Sequence, residues 1–289
     1  MNPVRRTTQP MASIIIRAYN VGRFLAVALE SVHEQRYQHW EALILDDDSD
    51  DDTAAIVTPF LEKDRRFRYI KNVDRLGRSG NLNLGLSLAR GKYISILDGD
   101  DYWCSKHTLS RIIREMERNP ELSLVAVSVA EVDEYGTKIL RYFPNRWQND
   151  SDIKTRLLIE NCIAQNAVCF RRAHALSLQG YDRELQFTED YDLWLRLGMM
   201  GKIKKLSEVL AHYRVHRGSI GVTHRRRQIL EELRVVLRYR KRYPYIALAV
   251  MHRIVNYCVT LIPKILRRSM ANSINYHTWR TRLLEIMTS

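Results

Sequence analysis

Apolar residues in the first hundred positions fall in short blocks, and the polar spacing between the blocks changes period. Residues 12–16, 40–45, 67–70 and 93–97 are nearly continuous apolar runs of strand length. Runs of this kind suit strands buried on both faces of a sheet. Between them apolar positions recur at three and four. Phe24, Leu25, Ala28, Leu29 and Val32 share one helical face, and Ile56, Val57, Phe60 and Leu61 share another. Residues 50–53 stand where the second helix needs an N-cap, and residues 82–88 read as a third helix. Alternating strands and helices predict βαβ units and a mainly parallel sheet. Further on, 124–129 and 167–170 are strand-like, residues 190–197 start a helix among acids, and the chain beyond about Thr223 is helical in pattern.

In parallel sheets ligands bind beyond the carboxyl ends of the strands. Two acidic clusters fall there: Asp46, Asp47 and Asp48 after the second run, and Asp98, Asp100 and Asp101 after the fourth. Three carboxylates at the end of a buried strand repel one another and demand water or a cation. Magnesium or manganese on a diphosphate would satisfy them, since hard cations take oxygen ligands.

The 289 residues, 45% apolar and 27% charged, have the composition of a soluble globular protein, with room for one large domain or a domain with an appendage. Charge changes this picture. Of the net +13, the stretch from Val222 onward carries +11 (14 Lys and Arg against 3 Glu), which leaves +2 for the first 221 residues. A basic tail on a neutral body implies an anionic partner, either lipid or nucleic acid. Within the tail His252, Asn256, Thr260, Lys264 and Arg268 recur at four, a polar stripe on an apolar helix that Pro263 would kink. His252 and Arg253 disfavour a membrane span, because a central arginine costs roughly 2.5–3.5 kcal/mol. Two readings remain: an interfacial helix, with residues 238–242 and Arg267 and Arg268 on anionic lipid, or a hairpin packed on the catalytic domain or a second subunit. Base-stacking aromatics do not accompany the basic residues, so no nucleic acid is expected. Cys104, Cys162, Cys169 and Cys258 lack metal or disulfide spacing, and no secretory signal is legible. The expected location is cytoplasmic, peripheral on the inner membrane face if the tail meets lipid.

The order of motifs adds a resemblance. Ile14-Ile15-Ile16-Arg17-Ala18-Tyr19-Asn20, then residues 41–53, then Gly77, Asn83-Leu84-Gly85, residues 89–94 and Asp98-Gly99-Asp100-Asp101 are similar to the ordered motifs of family 2 glycosyltransferases. Gly180-Tyr181-Asp182 and residues 188–196 resemble that family's acceptor-side motif. The resemblance covers roughly residues 12–220. It implies a GT-A fold: an α/β, Rossmann-like, mainly parallel sheet flanked by helices, with a C-terminal helical extension. The division expected is a disordered segment 1–10, a catalytic domain 11–221 and a basic helical extension 222–289. Two departures stand out. Arg17 replaces the usual proline and Asp48 the usual glycine; neither removes a side chain assigned to chemistry. A Q-x-x-R-W motif is missing, which disfavours a processive polysaccharide synthase.

The resemblance also implies roles. Ala18, Tyr19, Asn20 and Asp47 hold the donor's uracil or thymine, and a carboxylate, an acceptor only, suits a pyrimidine N3–H. Asp46 and Asp48 are caps rather than contacts. Asp98 takes the ribose or a metal-bound water, Asp100 takes the metal, and Arg78 assists the diphosphate. His216 is a late histidine on the metal, with His212 its competitor. Asp190 is the base, with its neighbours Glu189 and Asp192 as possible substitutes, and Glu189 and Gly180 lie on the acceptor side, Gly180 permitting close backbone approach. On a helix Asp190 and Asp192 point about 200° apart and cannot share one role; Leu193 and Trp194 are core. The expected activity is Mn2+- or Mg2+-dependent, inverting transfer from a UDP- or dTDP-sugar to a hydroxyl of a lipid-linked or cell-surface glycan, as in polysaccharide or lipopolysaccharide biosynthesis. The rivals are a nucleic-acid-binding module and a sugar nucleotidyltransferase. The latter would need a glycine- and Arg/Lys-rich phosphate loop, of which residues 17–23 are a poor version.

Overall fold

A computed structural model describes residues 10–142, 147–219 and 223–262. Nearly all of the segment expected to be disordered, and Pro263, Lys264, Arg267 and Arg268 of the tail pattern, lie outside the described residues. The first half follows the predicted alternation: β1 (Ala12–Ala18), α1 (Gly22–His33), β2 (Trp40–Asp46), α2 (Thr53–Lys63), β3 (Phe67–Lys71), α3 (Gly77–Leu88) and β4 (Tyr93–Asp98). These strands lie in the order β3-β2-β1-β4, all parallel. Register sets Ala18 beside Asp46 and Arg17 beside Asp98. The end of β1 therefore lies between both acidic clusters, at the point where strand order reverses.

The second half contains β5 (Tyr102–Trp103), α4 (Thr108–Arg118), β6 (Leu122–Val132), β7 (Ile139–Tyr142), α5 (Asp150–Leu157), β8 (Val168–Arg171), α6 (Arg172–Ser177), α7 (Glu189–Met200) and β9 (Lys202–Arg214). β8 pairs antiparallel with β4 and β6, β9 lies parallel beside β6, and β5 closes onto β9, completing a nine-stranded sheet. The long ladders are parallel, so the α/β, mainly parallel expectation holds. Alternate residues of each strand feed opposite cores. Ile15 packs with Leu82 of α3 and Trp194 of α7, while Ile14 and Ile16 pack with Leu25 and Leu29 of α1 and Ile112 of α4. Leu193 and Trp194 are fully buried, as expected of core residues.

The cap expected from residues 50–53 is more specific than the sequence reading. Asp52 holds the N-cap position of α2 without a side-chain cap bond. Asp51 does the work: Oδ1 accepts from Thr53 N at 3.0 Å and Oδ2 from Gly22 N at 2.8 Å, so one carboxylate serves the starts of α2 and α1.

Beyond 222 come α8 (Arg225–Arg238) and α9 (Ile246–Leu261). Val235, Val236, Tyr239 and Ala249 join the core under α3 and α7. Along α9 the described part of the polar stripe faces inward: His252 and Asn256 are buried, Thr260 is half-buried, and Arg253 is buried beside them, while Met251, Ile254 and Val255 are exposed. No helix among the described residues is long and apolar enough to cross a membrane.

Candidate active site

The site starts at the paired ends of β1 and β4. Asp98 Oδ1 accepts from Arg17 Nε at 2.8 Å and from its terminal nitrogen at 2.5 Å. Burial opposes ionisation of Asp98, but the Arg17 and Arg78 charges outweigh it and hold the carboxyl below the usual range. Arg17 also reaches Glu189 at 3.8 Å, and Arg78 Nε donates to Glu189 Oε1 at 2.7 Å. Arg17 thus joins the end of β4 to the start of α7, and Arg78 adds a second cation on Glu189. Reading the sequence flagged Arg17 only as a departure; its signal was a cation in place of a proline beside a strand-end acid cluster.

Asp98, Asp100 and Asp101 each offer a carboxylate oxygen within 4.8 Å of the others. Asp101 is almost fully buried, and its oxygens accept from Arg214 N at 2.7 Å and Asn166 Nδ2 at 2.9 Å. Burial, then the charges of Asp100 and Asp98, push its carboxyl well above the ordinary range. His216 Nε2 lies 3.0 Å from Asp100 Oδ2, while Gly218 N donates to its Nδ1 at 3.1 Å. The structure thus brings His216 to the cluster; His212 instead bonds the Tyr102 hydroxyl at 2.9 Å.

Glu189 and Asp190 open α7, where the helix dipole favours anions. Glu189 is fully buried. Asp190 accepts from Tyr191 N at 2.6 Å and Asn161 Nδ2 at 3.3 Å. Burial, then the Glu189 charge, raise its carboxyl to about 7. Asp192 points the other way, as helical geometry requires. It is fully buried and held by Arg196 at 2.7 Å, Tyr239 at 2.8 Å and Arg238 at 3.0 Å. That makes it a strut of the fold. The start of α7 is positioned from far along the chain. Glu231 of α8 accepts from Gln186 N at 3.0 Å, Phe187 N at 2.7 Å and the Thr188 hydroxyl at 2.9 Å.

At the end of β2, Asp47 accepts from Leu76 N at 2.8 Å, Gly77 N at 3.0 Å and Asn72 Nδ2 at 3.0 Å, pinning the turn before α3. Asp47 N in turn donates to Ala18 O at 2.9 Å. Asn20 has φ +51°; its N–H donates to Ser49 Oγ at 3.0 Å and its Oδ1 accepts from Asp50 N at 3.1 Å. Tyr19 is exposed, with the Arg75 guanidinium 3.7 Å over its ring. Asp46 accepts from Ser49 N at 2.8 Å, a local cap. Asp48 has φ +65°, the left-handed region where a glycine costs least, which explains why a glycine is usual there. Gly180, at φ +71°, does permit a close approach, but to Asn83: a Cβ would lie 2.2 Å from Asn83 Oδ1.

Four buried polar atoms around this cluster have no hydrogen-bond partner among the described residues: Gln165 Oε1, Asn166 Oδ1, Tyr181 OH and Glu189 Oε2. Orphaned acceptors beside three crowded carboxylates fit a site completed by a polar ligand and a hard divalent cation. Sequence reading passed over Tyr181, Gln165 and Asn166 as site residues, since isolated polar residues carry no pattern.

A carboxylate cluster at the switch point of a parallel sheet, bridged by Arg17 to a glutamate whose neighbour is a near-neutral aspartate at a helix start, is the layout of a GT-A group-transfer enzyme. The chain belongs to glycosyltransferase family 2: the pattern described as Glycosyl transferase family 2 matches residues 13–176. It is 33% identical over 214 residues to the Escherichia coli glucosyltransferase WfaP, covering 73% of this chain and 79% of that one. WfaP is named for transfer from UDP-Glc to α-D-GlcNAc-diphosphoundecaprenol in β-1,3 linkage. An uncharacterized glycosyltransferase of Methanocaldococcus jannaschii is 29% identical over 210 residues, 72% of this chain and 71% of its own. Among solved structures, the Pyrobaculum calidifontis mannosyltransferase PcManGT, in complex with GDP-Man and Mn2+, superposes with a TM-score of 0.68 at 16% identity, covering 95% of this chain and 84% of that one. The protein is a glycosyltransferase with a GT-A fold.

Proposed function

We propose that this glycosyltransferase moves one sugar, with inversion and with a divalent cation, from a uridine or thymidine diphosphate sugar to a hydroxyl of a lipid-linked glycan. The carrying observation is the bridge by which Arg17 joins Asp98 to Glu189, the neighbour of Asp190, with Arg78 bonded to the same Glu189. The donor and acceptor named for WfaP support the substrate class, and the Mn2+ of PcManGT supports the metal.

Asp100 and His216, with Asp98 or a water it holds, are the residues that would hold the cation. Bound there, it offsets the negative charge that develops on the leaving diphosphate. Arg78 adds a fixed cation beside that group. Asp47 and the backbone of Ala18, Tyr19 and Asn20 face the base; each carboxylate oxygen has two lone pairs, so Asp47 can accept a ring N–H while keeping Leu76 and Gly77. Asp190 removes the acceptor hydroxyl proton, the oxygen attacks the anomeric carbon, and the bond to the diphosphate breaks with its electron pair leaving on the nucleotide. One base and one displacement give inversion. The nucleotidyltransferase rival loses support because Arg17 is tied to Asp98 and Arg23 to Glu134 rather than grouped around a phosphate loop.

The test is nucleoside diphosphate release from a panel of nucleotide sugars, with a lipid-linked acceptor extract, with added manganese or chelator, and in Asp100→Ala. Asp100→Ala should lower transfer by about 10³-fold and weaken manganese-dependent binding of the nucleotide. Full activity in chelator or in this variant overturns the metal reading.

A further inference from the structure

α9 is built inside out. Its buried side carries His252, Arg253 and Asn256. Arg253, 1% exposed, donates to Leu158 O at 3.2 Å and to Tyr191 OH at 3.1 Å, also bonds Ile159 O, and pairs with Glu232 at 3.3 Å. His252 Nδ1 lies 2.8 Å from Ile159 O. With the polar side so engaged, the opposite side must face outward. It consists of Ala247, Met251, Ile254, Val255, Cys258 and Leu261, all exposed, and their spacing of three and four places them on one continuous face. That face contains no charged residue. Ile254 is 53% exposed and Leu261 56%.

The neighbouring helix and the turn after it add a second stripe. Arg227, Leu230, Arg234, Leu237 and Lys241 are exposed and also spaced by three and four, so cation and leucine alternate along one line. Arg226 ties the hairpin together through Thr260, at 3.2 Å to its hydroxyl and 2.9 Å to its carbonyl. Among the described residues nothing covers either stripe. A contiguous apolar face of this kind marks a docking surface.

The charge pattern chooses the occupant. A two-fold pairing of this chain through the same surface brings a patch against itself, so each basic stripe would meet its own copy or lie beside it. An anionic lipid surface satisfies both stripes at once, with apolar side chains in the headgroup–acyl boundary and cations on the headgroups. We propose that the α8–α9 hairpin seats the enzyme on an anionic lipid surface through these two stripes. The proposal deepens the reading of a lipid-linked acceptor and rests on it only for its purpose. Arg253 meets Tyr191, the neighbour of Asp190, so the docking helix is one side chain away from the catalytic helix.

The full chain is mixed with vesicles of phosphatidylcholine alone, or with added phosphatidylglycerol, without nucleotide, and sedimented at low and high salt. Wild type should bind the anionic vesicles, and binding should fall as salt rises. Two double variants test the stripes separately: Ile254→Asp with Val255→Asp, and Arg227→Glu with Arg234→Glu. Each should weaken binding by about tenfold or more, with an unchanged melting temperature and unchanged transfer to a soluble acceptor mimic. Equal binding to neutral and anionic vesicles, no binding at all, or a wild-type dimer that the Ile254→Asp, Val255→Asp variant turns into monomer overturns the proposal. If one variant unfolds, the other decides. Vesicle binding without transfer of any sugar would leave the docking surface standing and sink the catalytic reading instead.

Discussion

The two halves of the site hold the same kind of side chain by opposite means. In the proposed donor half, backbone N–H groups do most of the gripping: Asp46 is held by Ser49, Asp47 by Leu76 and Gly77, Asp51 by Gly22 and Thr53, while Asp98 at its border takes the Arg17 side chain. In the acceptor half, side chains do most of the gripping: Arg78 and Arg17 on Glu189, and Arg196, Arg238 and Tyr239 on Asp192. Backbone donors move only when the fold moves, so the donor half is a rigid frame. The acceptor half is a charge network, and removing one member leaves a buried charge without its partner. The same network bears on the proposed chemistry, because the Glu189 charge helps lift Asp190, the base we propose, toward neutrality.

The largest test of this contrast is Asp190→Asn. It should leave nucleotide binding intact and lower turnover by about 10²–10⁴, the usual worth of a general base. Wild-type turnover should rise through about pH 7 and level off above it, because the base acts ionised. Stability runs the other way. The folded carboxyl titrates near 7 and an unfolded aspartate near ~3.9, so the stability it contributes is full below about pH 4 and lost as pH rises through 7. The melting temperature of wild type should therefore fall relative to Asp190→Asn across that window. Normal turnover in Asp190→Asn places the base elsewhere.

Next in size is Arg17→Ala, which strips Asp98 of its partner at 2.5 Å. Donor affinity should fall by about 10- to 100-fold, the weight of a charged hydrogen bond. An unchanged dissociation constant for the nucleotide, by calorimetry, would show that the donor half needs no side-chain cation. Glu231→Ala removes three bonds from residues 186–188. It should cost about 2–3 kcal/mol in denaturant unfolding and lower kcat with donor affinity kept. Equal loss of both would erase the division between the halves. The smallest effect is Asp48→Gly, which relieves a left-handed residue in the rigid frame and should stabilise by about 0.5–1 kcal/mol.

The contrast also explains what could be read from residues alone. The donor half is local: buried apolar runs mark β1, β2 and β4, and acids at their ends mark the site. The acceptor half depends on partners far apart in sequence. β9 went unread because Lys202, Lys204, Lys205, Ser207 and Glu208 break its apolar alternation; Lys205 is buried all the same. Arg17 could be noticed but not assigned, since its role needs Asp98 and Glu189 brought together. The amphipathic pattern of α9 was legible, whereas the side that turns inward is decided by carbonyls at Leu158 and Ile159.

Glu231 and Arg253 carry a consequence for synthesis. The β1–β4 frame is made first and closes on its own short connections, so it can form while the chain is still being extended. Helix α7, which carries the proposed base, also leaves the ribosome before its supports. The loop ahead of it waits for Glu231, and the Tyr191 hydroxyl waits for Arg253. A nascent chain stopped after His216 and before Glu231 should thus bind nucleotide before it can turn over. α8 and α9 would then act as a timer that keeps a chain still lacking them from spending donor sugar.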